Sequence, residues 1–283
     1  MRVAFHKMTG SGNDFVMLDG RATTEAGWPA ERISRACDRR DGVGADGLVI
    51  LTPVGPDRVR MTYFNSDGSR AAMCGNAALC STRLAARLGM ADPARMTLAT
   101  DAGDYEARCV GEGHLAEIHF PDAAVPAAVA IPLAEGELSV ALGTVGVPHL
   151  VVLVGDVGTV PLDARGRELR FHAGAGPAGA NANFVSRLAG SPDTSTATPD
   201  EPTWAIRTYE RGVEGETLAC GTGTVAAALA IAASRIDRLP LRFRSASGRA
   251  LAVTAVLADG GQEATDIWLC GEGRLVFRGE WED

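Results

Sequence analysis

Apolar and polar positions along the chain change period several times. Near the start, RVAFHKM and FVMLD are short apolar-rich runs separated by TGSGND, the pattern of two strands joined by a turn. PAERISRACDRRDG then switches to helical spacing, with Ile33 and Cys37 four apart and Gly42 beyond the basic stretch as a stop. LVILTPV and VRMTYFN return to strand-like runs. From Gly75 to Leu88 apolar residues recur at Ala77, Cys80, Leu84 and Leu88, spaced three, four and four, and Gly89 closes the predicted helix.

The second half follows the same order. SVALGTVG and HLVVLVGDV read as strands, residues 164–183 are rich in Ala and Gly without a clear period, and NFVSRLA and TWAIRTYERG read as strands again. A second helix is predicted from Gly221 to about Ser234, with Val225, Leu229, Ala232 and Ile236 spaced four, three and four. RFRSASGRALAVTAVL and DIWLCGEGRLVFRGEW finish the chain as strands. This succession predicts an α+β fold rather than alternating βαβ units. The halves also share a detail: MCGNAALCSTRLAARL and ACGTGTVAAALAIAAS both set Cys-Gly before an apolar helix, as a duplicated domain would. Residues 190–203, GSPDTSTATPDEPT, lack apolar periodicity and read as a mobile surface loop.

Composition narrows the function. The chain has 283 residues, enough for about two domains, and 46% are hydrophobic, which excludes a disordered chain. The net charge of −8 offers no general positive field for a nucleic acid or an anionic membrane surface. Lys7 is the only lysine, so a Schiff-base cofactor such as pyridoxal phosphate has one candidate amine, close to the N-terminus. No apolar run suits a signal peptide or a membrane span, so a cytoplasmic location is expected.

The five histidines show no paired ligand spacing and no cysteine pair is C-x-x-C, so no metal site is expected. GVGADG fits a dinucleotide-binding pattern in letters only, because it follows a helix and precedes a strand. GTGTVA opens a helix, but an antiparallel strand pattern follows it. Of the six cysteines, Cys37, Cys80, Cys109 and Cys270 read as small buried hydrophobes.

Cys74 and Cys220 differ, because each stands at the start of a predicted helix. Unpaired backbone N–H groups and the positive end of the dipole favour a thiolate there, and the following glycine lets a substrate carboxylate approach the same N–H groups. Two thiols acting on one carbon, one ionised and one protonated, are what inversion at a carbon acid requires. A redox dithiol pair is the alternative of another class, and it predicts a cycling Cys74–Cys220 disulfide.

KMTGSGNDFV, YFNSDGSRAAMCGNA, NANFV and YERGVEGETLACGTGT, spread over both halves in this order, strongly resemble the diaminopimelate epimerase family. The resemblance implies two pseudo-symmetric domains, each a β-sheet wrapped around a central α-helix, with the active site in the cleft between them. It assigns residues 1–121, joined by the last strand 275–283, to the first domain and 122–274 to the second. The implied reaction interconverts LL- and meso-diaminopimelate without a cofactor, for lysine and peptidoglycan precursors. Proline and hydroxyproline racemases, which also use paired cysteines, are the nearest enzymatic alternative.

Carried over by position, Cys74 and Cys220 match the catalytic thiols. Gly75, Asn76, Gly221 and Thr222 match the helix-start groups that hold the reacting carboxylate, and Asn13, Asn65, Asn181, Glu210 and Arg211 match the polar residues that grip the substrate. Arg211 suits a carboxylate, Glu210 an ammonium, and the asparagines supply donors and acceptors without charge. His149 and Asp46 are further candidates. Two positions depart from the family pattern: Val147 stands where an asparagine is often found, and Gly47 where some members carry glutamine. A homodimer is compatible with the family.

Overall fold

The structure is a computed structural model that describes residues 2–190 and 201–282, so most of the loop expected at 190–203 lies outside the described residues. The chain divides into two compact units, residues 1–119 with 270–283, and residues 120–269.

The first unit begins with the hairpin β1 (Arg2–Gly10) and β2 (Asn13–Asp19), turned by Ser11 and Gly12 at positive φ. Helix α1 (Ala30–Cys37) leads to β3 (Gly47–Gly55), which pairs in parallel with β2, and β4 (Arg58–Asn65) returns antiparallel to β3. After the short β5 (Arg70–Ala71), helix α2 (Gly75–Arg87) leads to β6 (Met96–Thr100), which is parallel to β4. β7 (Gly103–Val110) and β8 (Leu115–Phe120) extend the sheet.

The second unit repeats this topology. After the short β9 (Ala123–Ala124) and β10 (Ala127–Ala128), β11 (Glu137–Val145) and β12 (Val147–Val154) form the hairpin. Helix α3 (Leu162–Arg170) leads to β13 (Asn181–Arg187), parallel to β12, and β14 (Trp204–Glu210) returns antiparallel to it. β15 (Gly215–Thr217) precedes helix α4 (Gly221–Ala233), and β16 (Leu241–Arg244) is parallel to β14. β17 (Ala250–Leu257) and β18 (Glu263–Glu272) follow, and β19 (Arg274–Glu282) pairs with β1 in the first unit.

In each unit one helix covers each face of the central strands. Val16, Leu18, Leu48, Ile50 and Phe64 pack with Ile33 of α1, while the alternate residues of the same strands face α2. Strands buried on both faces read as unbroken apolar runs, which is why FVML, LVIL and HLVVLV show no alternation. α4 is buried almost all round, as a helix enclosed by its sheet must be. α2 carries buried Ser81 and Thr82, whose hydroxyls donate to the carbonyls of Ala77 and Ala78 one turn back, so neither is left unsatisfied.

The α+β fold class and the two sheet-around-helix units are as expected. Four details differ. Each unit contains two parallel pairings bridged by a helix, and one of them is β14–α4–β16, where an antiparallel pattern was expected after the helix. The 164–183 segment contains most of α3, whose buried stripe joins Leu162 and Leu169 through Arg165 and Gly166, so no apolar period marks it. α1 ends at Cys37, not near Gly42: Val43 and Ala45 donate to the carbonyls of Ala36 and Cys37, and a Cβ on Gly42 would stand 2.0 Å from the Arg35 carbonyl oxygen. α4 ends at Ala233, leaving Ile236 outside it and 43% exposed.

Candidate active site

Cys74 and Cys220 occupy the same place in their units, the N-cap of the central helix, both with extended backbone angles. Cys74 is half-buried and Cys220 buried. The Cys220 sulfur accepts from the Gly223 N–H at 3.4 Å and lies 3.6 Å from the Thr222 hydroxyl, so the first turn of α4 holds the sulfur by its own backbone. The other thiols are set against ionisation where a shift is resolved: burial pushes Cys37 up to about 12 and raises Cys80 and Cys109. None of the six cysteines is in a disulfide.

In the first unit, the starts of β2 and β3 and the end of β4 lie beside the start of α2. Gly47 pairs with both Phe15 and Asn65, so Asn13, Phe15, Gly47, Tyr63 and Asn65 share the face toward α2. The Asn76 amide donates to Asn13 Oδ1 at 2.7 Å, and Asn13 Nδ2 donates to Asp46 at 2.9 Å. Asp46 is in turn held by Arg39 at 2.7 Å and by the Asp14 N–H at 3.2 Å. Asp46 therefore anchors Asn13 within this network. Asp14 joins it to Lys7, whose buried ammonium pairs with that carboxylate at 2.7 Å and also donates to the Gly44 carbonyl. Burial raises the Asp14 carboxyl, but Arg39, which also meets it at 2.7 Å, and Lys7 outweigh that and hold it below its ordinary range. Asn65 sits apart from this chain of bonds and donates to the Ser69 hydroxyl.

Gly47 has no room for a side chain. A Cβ there would stand 2.6 Å from the Phe64 carbonyl oxygen and 2.6 Å from the Tyr63 ring, which fills the space.

In the second unit the equivalent strand ends carry more titratable groups. His149 on β12 pairs with Asn181 on β13, and Ala182 pairs with Tyr209, which sets Asn181 beside Glu210 at the strand ends. Asn181 accepts from the Arg211 N–H at 2.8 Å. Burial raises the Glu210 carboxyl, with a bond from Thr217 acting the other way. His149 is fully buried, and its imidazole is lowered to about 3 by desolvation first, with the Arg211 charge adding to it and a bond to the Val145 backbone opposing it. Val147 opens β12 and Thr222 lies against Gly146 of the hairpin turn.

The network around Asn13 reaches Arg39, which the sequence did not single out, and Lys7, which it marked only as the one amine; the second unit adds Asn183 and Thr208. Among the described residues, no group of three or more His, Cys, Asp or Glu side chains could hold a metal ion. No helix among them is long and apolar enough to cross a membrane.

The duplicated topology, with a sheet curled around a helix in each unit, defines a class of two-unit folds shared by proteins of differing description. A phenazine biosynthesis protein of the PhzF family from Bacillus anthracis superposes with a TM-score of 0.73 at 15% identity over 99% of both chains. A probable proline racemase from Agrobacterium radiobacter does so at 0.64 and 17% identity, covering 98% of this chain and 92% of that one. Within that class the sequence decides. The family described as Diaminopimelate epimerase matches residues 5–121 and 142–263. The Diaminopimelate epimerase of Gemmatimonas aurantiaca is 43% identical, covering 98% of this chain and 99% of its own, and that of Aquifex aeolicus is 34% identical over 97% and 96%. The chain belongs to the diaminopimelate epimerase family, a family of isomerases.

Proposed function

We propose that this protein interconverts LL- and meso-2,6-diaminopimelate by a two-thiol exchange at the α-carbon, without a cofactor. The observation that carries the reading is that the two Cys-Gly helix starts occupy equivalent N-caps, within a chain of this family. One thiolate takes the α-proton, the electron pair passes into the α-carboxylate, and the opposing thiol returns a proton to the other face. The barrier lies in the weak acidity of the carbon, so donors aimed at that carboxylate contribute most of the rate.

Gly75, Asn76, Gly221 and Thr222 offer helix-start donors to the reacting carboxylate. Asn13, Asn65, Asn181, Glu210 and Arg211 grip the rest of the substrate, and an ammonium beside Glu210 would offset the cost of its buried charge. Asp46 acts through Asn13, which it holds. His149, kept neutral by burial, serves as a hydrogen-bond group rather than a charged one. We place the enzyme in the cytoplasm, a reading supported by six cysteines outside any disulfide, and assign the lysine and peptidoglycan precursor route as its setting.

The test is solvent-deuterium incorporation at the α-carbon of LL-diaminopimelate by the purified, reduced protein without added pyridoxal phosphate or metal, with L-proline in parallel. Exchange with diaminopimelate alone is expected, and Cys74→Ala or Cys220→Ala should each lower epimerisation by orders of magnitude. Exchange with proline alone would replace the substrate. Wild-type turnover in either alanine variant would end the two-thiol mechanism.

A further inference from the structure

We propose that Asn183 is a positioning residue that fixes His149 as the Nε2–H tautomer and secures the backbone donor to the Cys220 sulfur. The inference rests on the reading of Cys220 as a reacting thiol.

Asn183 is fully buried on β13, two residues from Asn181 and on the same face toward α4. All its side-chain bonds are assigned. Its Nδ2 donates to the Leu150 carbonyl at 2.9 Å and lies 3.2 Å from His149 Nδ1, while its Oδ1 accepts from the Thr208 hydroxyl at 3.0 Å. A carbonyl can only accept, so Leu150 forces the nitrogen end of the amide toward it and settles the amide's orientation. The second N–H then points at Nδ1, which must be bare to receive it. A neutral imidazole with a bare Nδ1 carries its proton on Nε2.

The same amide touches the helix start. A Cβ on Gly223 would stand 2.2 Å from Asn183 Oδ1 and 3.1 Å from the Cys220 sulfur, so Asn183 occupies the space a side chain at 223 would need. The Gly223 N–H is the group that donates to that sulfur. Asn183 is thus wedged between the imidazole and the turn of α4 that holds Cys220, and one amide sets both. It reaches no reacting atom itself and acts through His149 and Gly223.

Histidine-selective 15N NMR on the full-length enzyme tests this, with His149→Gln assigning the signal among the five histidines. The wild type is expected to show a protonated Nε2 and a bare Nδ1 at neutral pH. In Asn183→Asp the carboxylate accepts from the ring, so the proton should move to Nδ1 and kcat for diaminopimelate should fall on the order of 10- to 100-fold, with KM changing far less. Thr208→Val, a milder change that only frees Oδ1, leaves the Leu150 bond that orients the amide, so it should keep the Nε2–H tautomer and give a smaller loss of kcat. Three results would each overturn the proposal: a bare Nε2 in the wild type, an unchanged tautomer in folded Asn183→Asp, or a reversed tautomer with wild-type kcat. If the wild type leaves diaminopimelate unchanged while the tautomers respond as expected, the substrate assignment fails and the hold on His149 stands.

Discussion

His149 makes the protein's stability depend on pH in a direction that can be worked out. Its imidazole is lowered from 6.5 to about 3, chiefly by desolvation. Below 6.5 the unfolded chain binds a proton at this residue that the folded protein refuses, so stability falls as the pH drops and continues to fall until the folded value is reached. Between pH ~7.5 and ~5.0 the two populations differ by about 1.5 log units at pH 5.0, which is about 2 kcal/mol of stability lost through this one group. His149→Gln removes the titration while keeping a side chain that can hydrogen-bond. It will shift stability at both pH values, but the pH-dependent part belonging to residue 149 disappears. Urea unfolding of both proteins at the two pH values measures it, since Glu210 and the remaining groups titrate in both and cancel in the difference. The wild type is expected to lose about 2 kcal/mol more than the variant over this interval. A difference under about 0.5 kcal/mol would mean that the folded protein accepts the proton, and the buried neutral imidazole would be refuted.

The same reasoning extends to three other positions. Gly223→Ala should destabilise by about 1–3 kcal/mol and lower kcat, because the added Cβ meets the buried Asn183 amide at 2.2 Å, while Gly155→Ala, with nothing within 4 Å, should stay within about 0.5 kcal/mol; equal melting behaviour of the two would contradict the close contact. Arg165 meets Glu137 through two bonds of 2.8 Å, with Glu137 only 4% exposed, so Arg165→Met leaves a buried charge without its partner and should cost about 3–5 kcal/mol in denaturant unfolding; a loss below about 1 kcal/mol would show the carboxylate to be solvated. Arg211→Lys should raise KM for diaminopimelate about tenfold, since an ammonium lacks the planar fork; an unchanged KM would remove Arg211 from the substrate site.

What the sequence made legible follows from how each element is buried. Strands covered on both faces and a helix enclosed by its sheet produce long apolar runs, so β2, β3, β12 and α4 stand out. α3 was hidden because its inward stripe uses an arginine paired to Glu137 and a glycine that lets Tyr209 approach within 2.5 Å of where a Cβ would be. The parallel pairings were hidden for another reason: β14 and β16 share only two residue pairs and are surrounded by hairpins, which dominate the local pattern. At the site, the Cys-Gly starts were visible as motifs, whereas Asn183 lies inside NANFV as a second asparagine of the same face. Alternation alone could have marked it, because Ala182 and Phe184 belong to the opposite core.

The two units agree most closely at the cysteines and least at the strand ends beside them. By register, Asn13 corresponds to Val147, Phe15 to His149, Gly47 to Asn181 and Asn65 to Glu210. The first unit therefore places neutral or apolar groups where the second places a histidine and a carboxylate. The proposed chemistry accounts for this division. In that chemistry one thiolate removes the α-proton from one face and a second thiol delivers its own proton to the other, so two equivalent helix-start thiols suit it and duplication supplies them. The carboxylate, the ammonium and the remainder of the substrate keep their places during that exchange, and groups that bind them need no counterpart. One unit can then lose its side chain at Gly47 to the ring of Tyr63 without loss to the proton transfer itself, whereas the loss of either sulfur would leave one face of the carbon without a base.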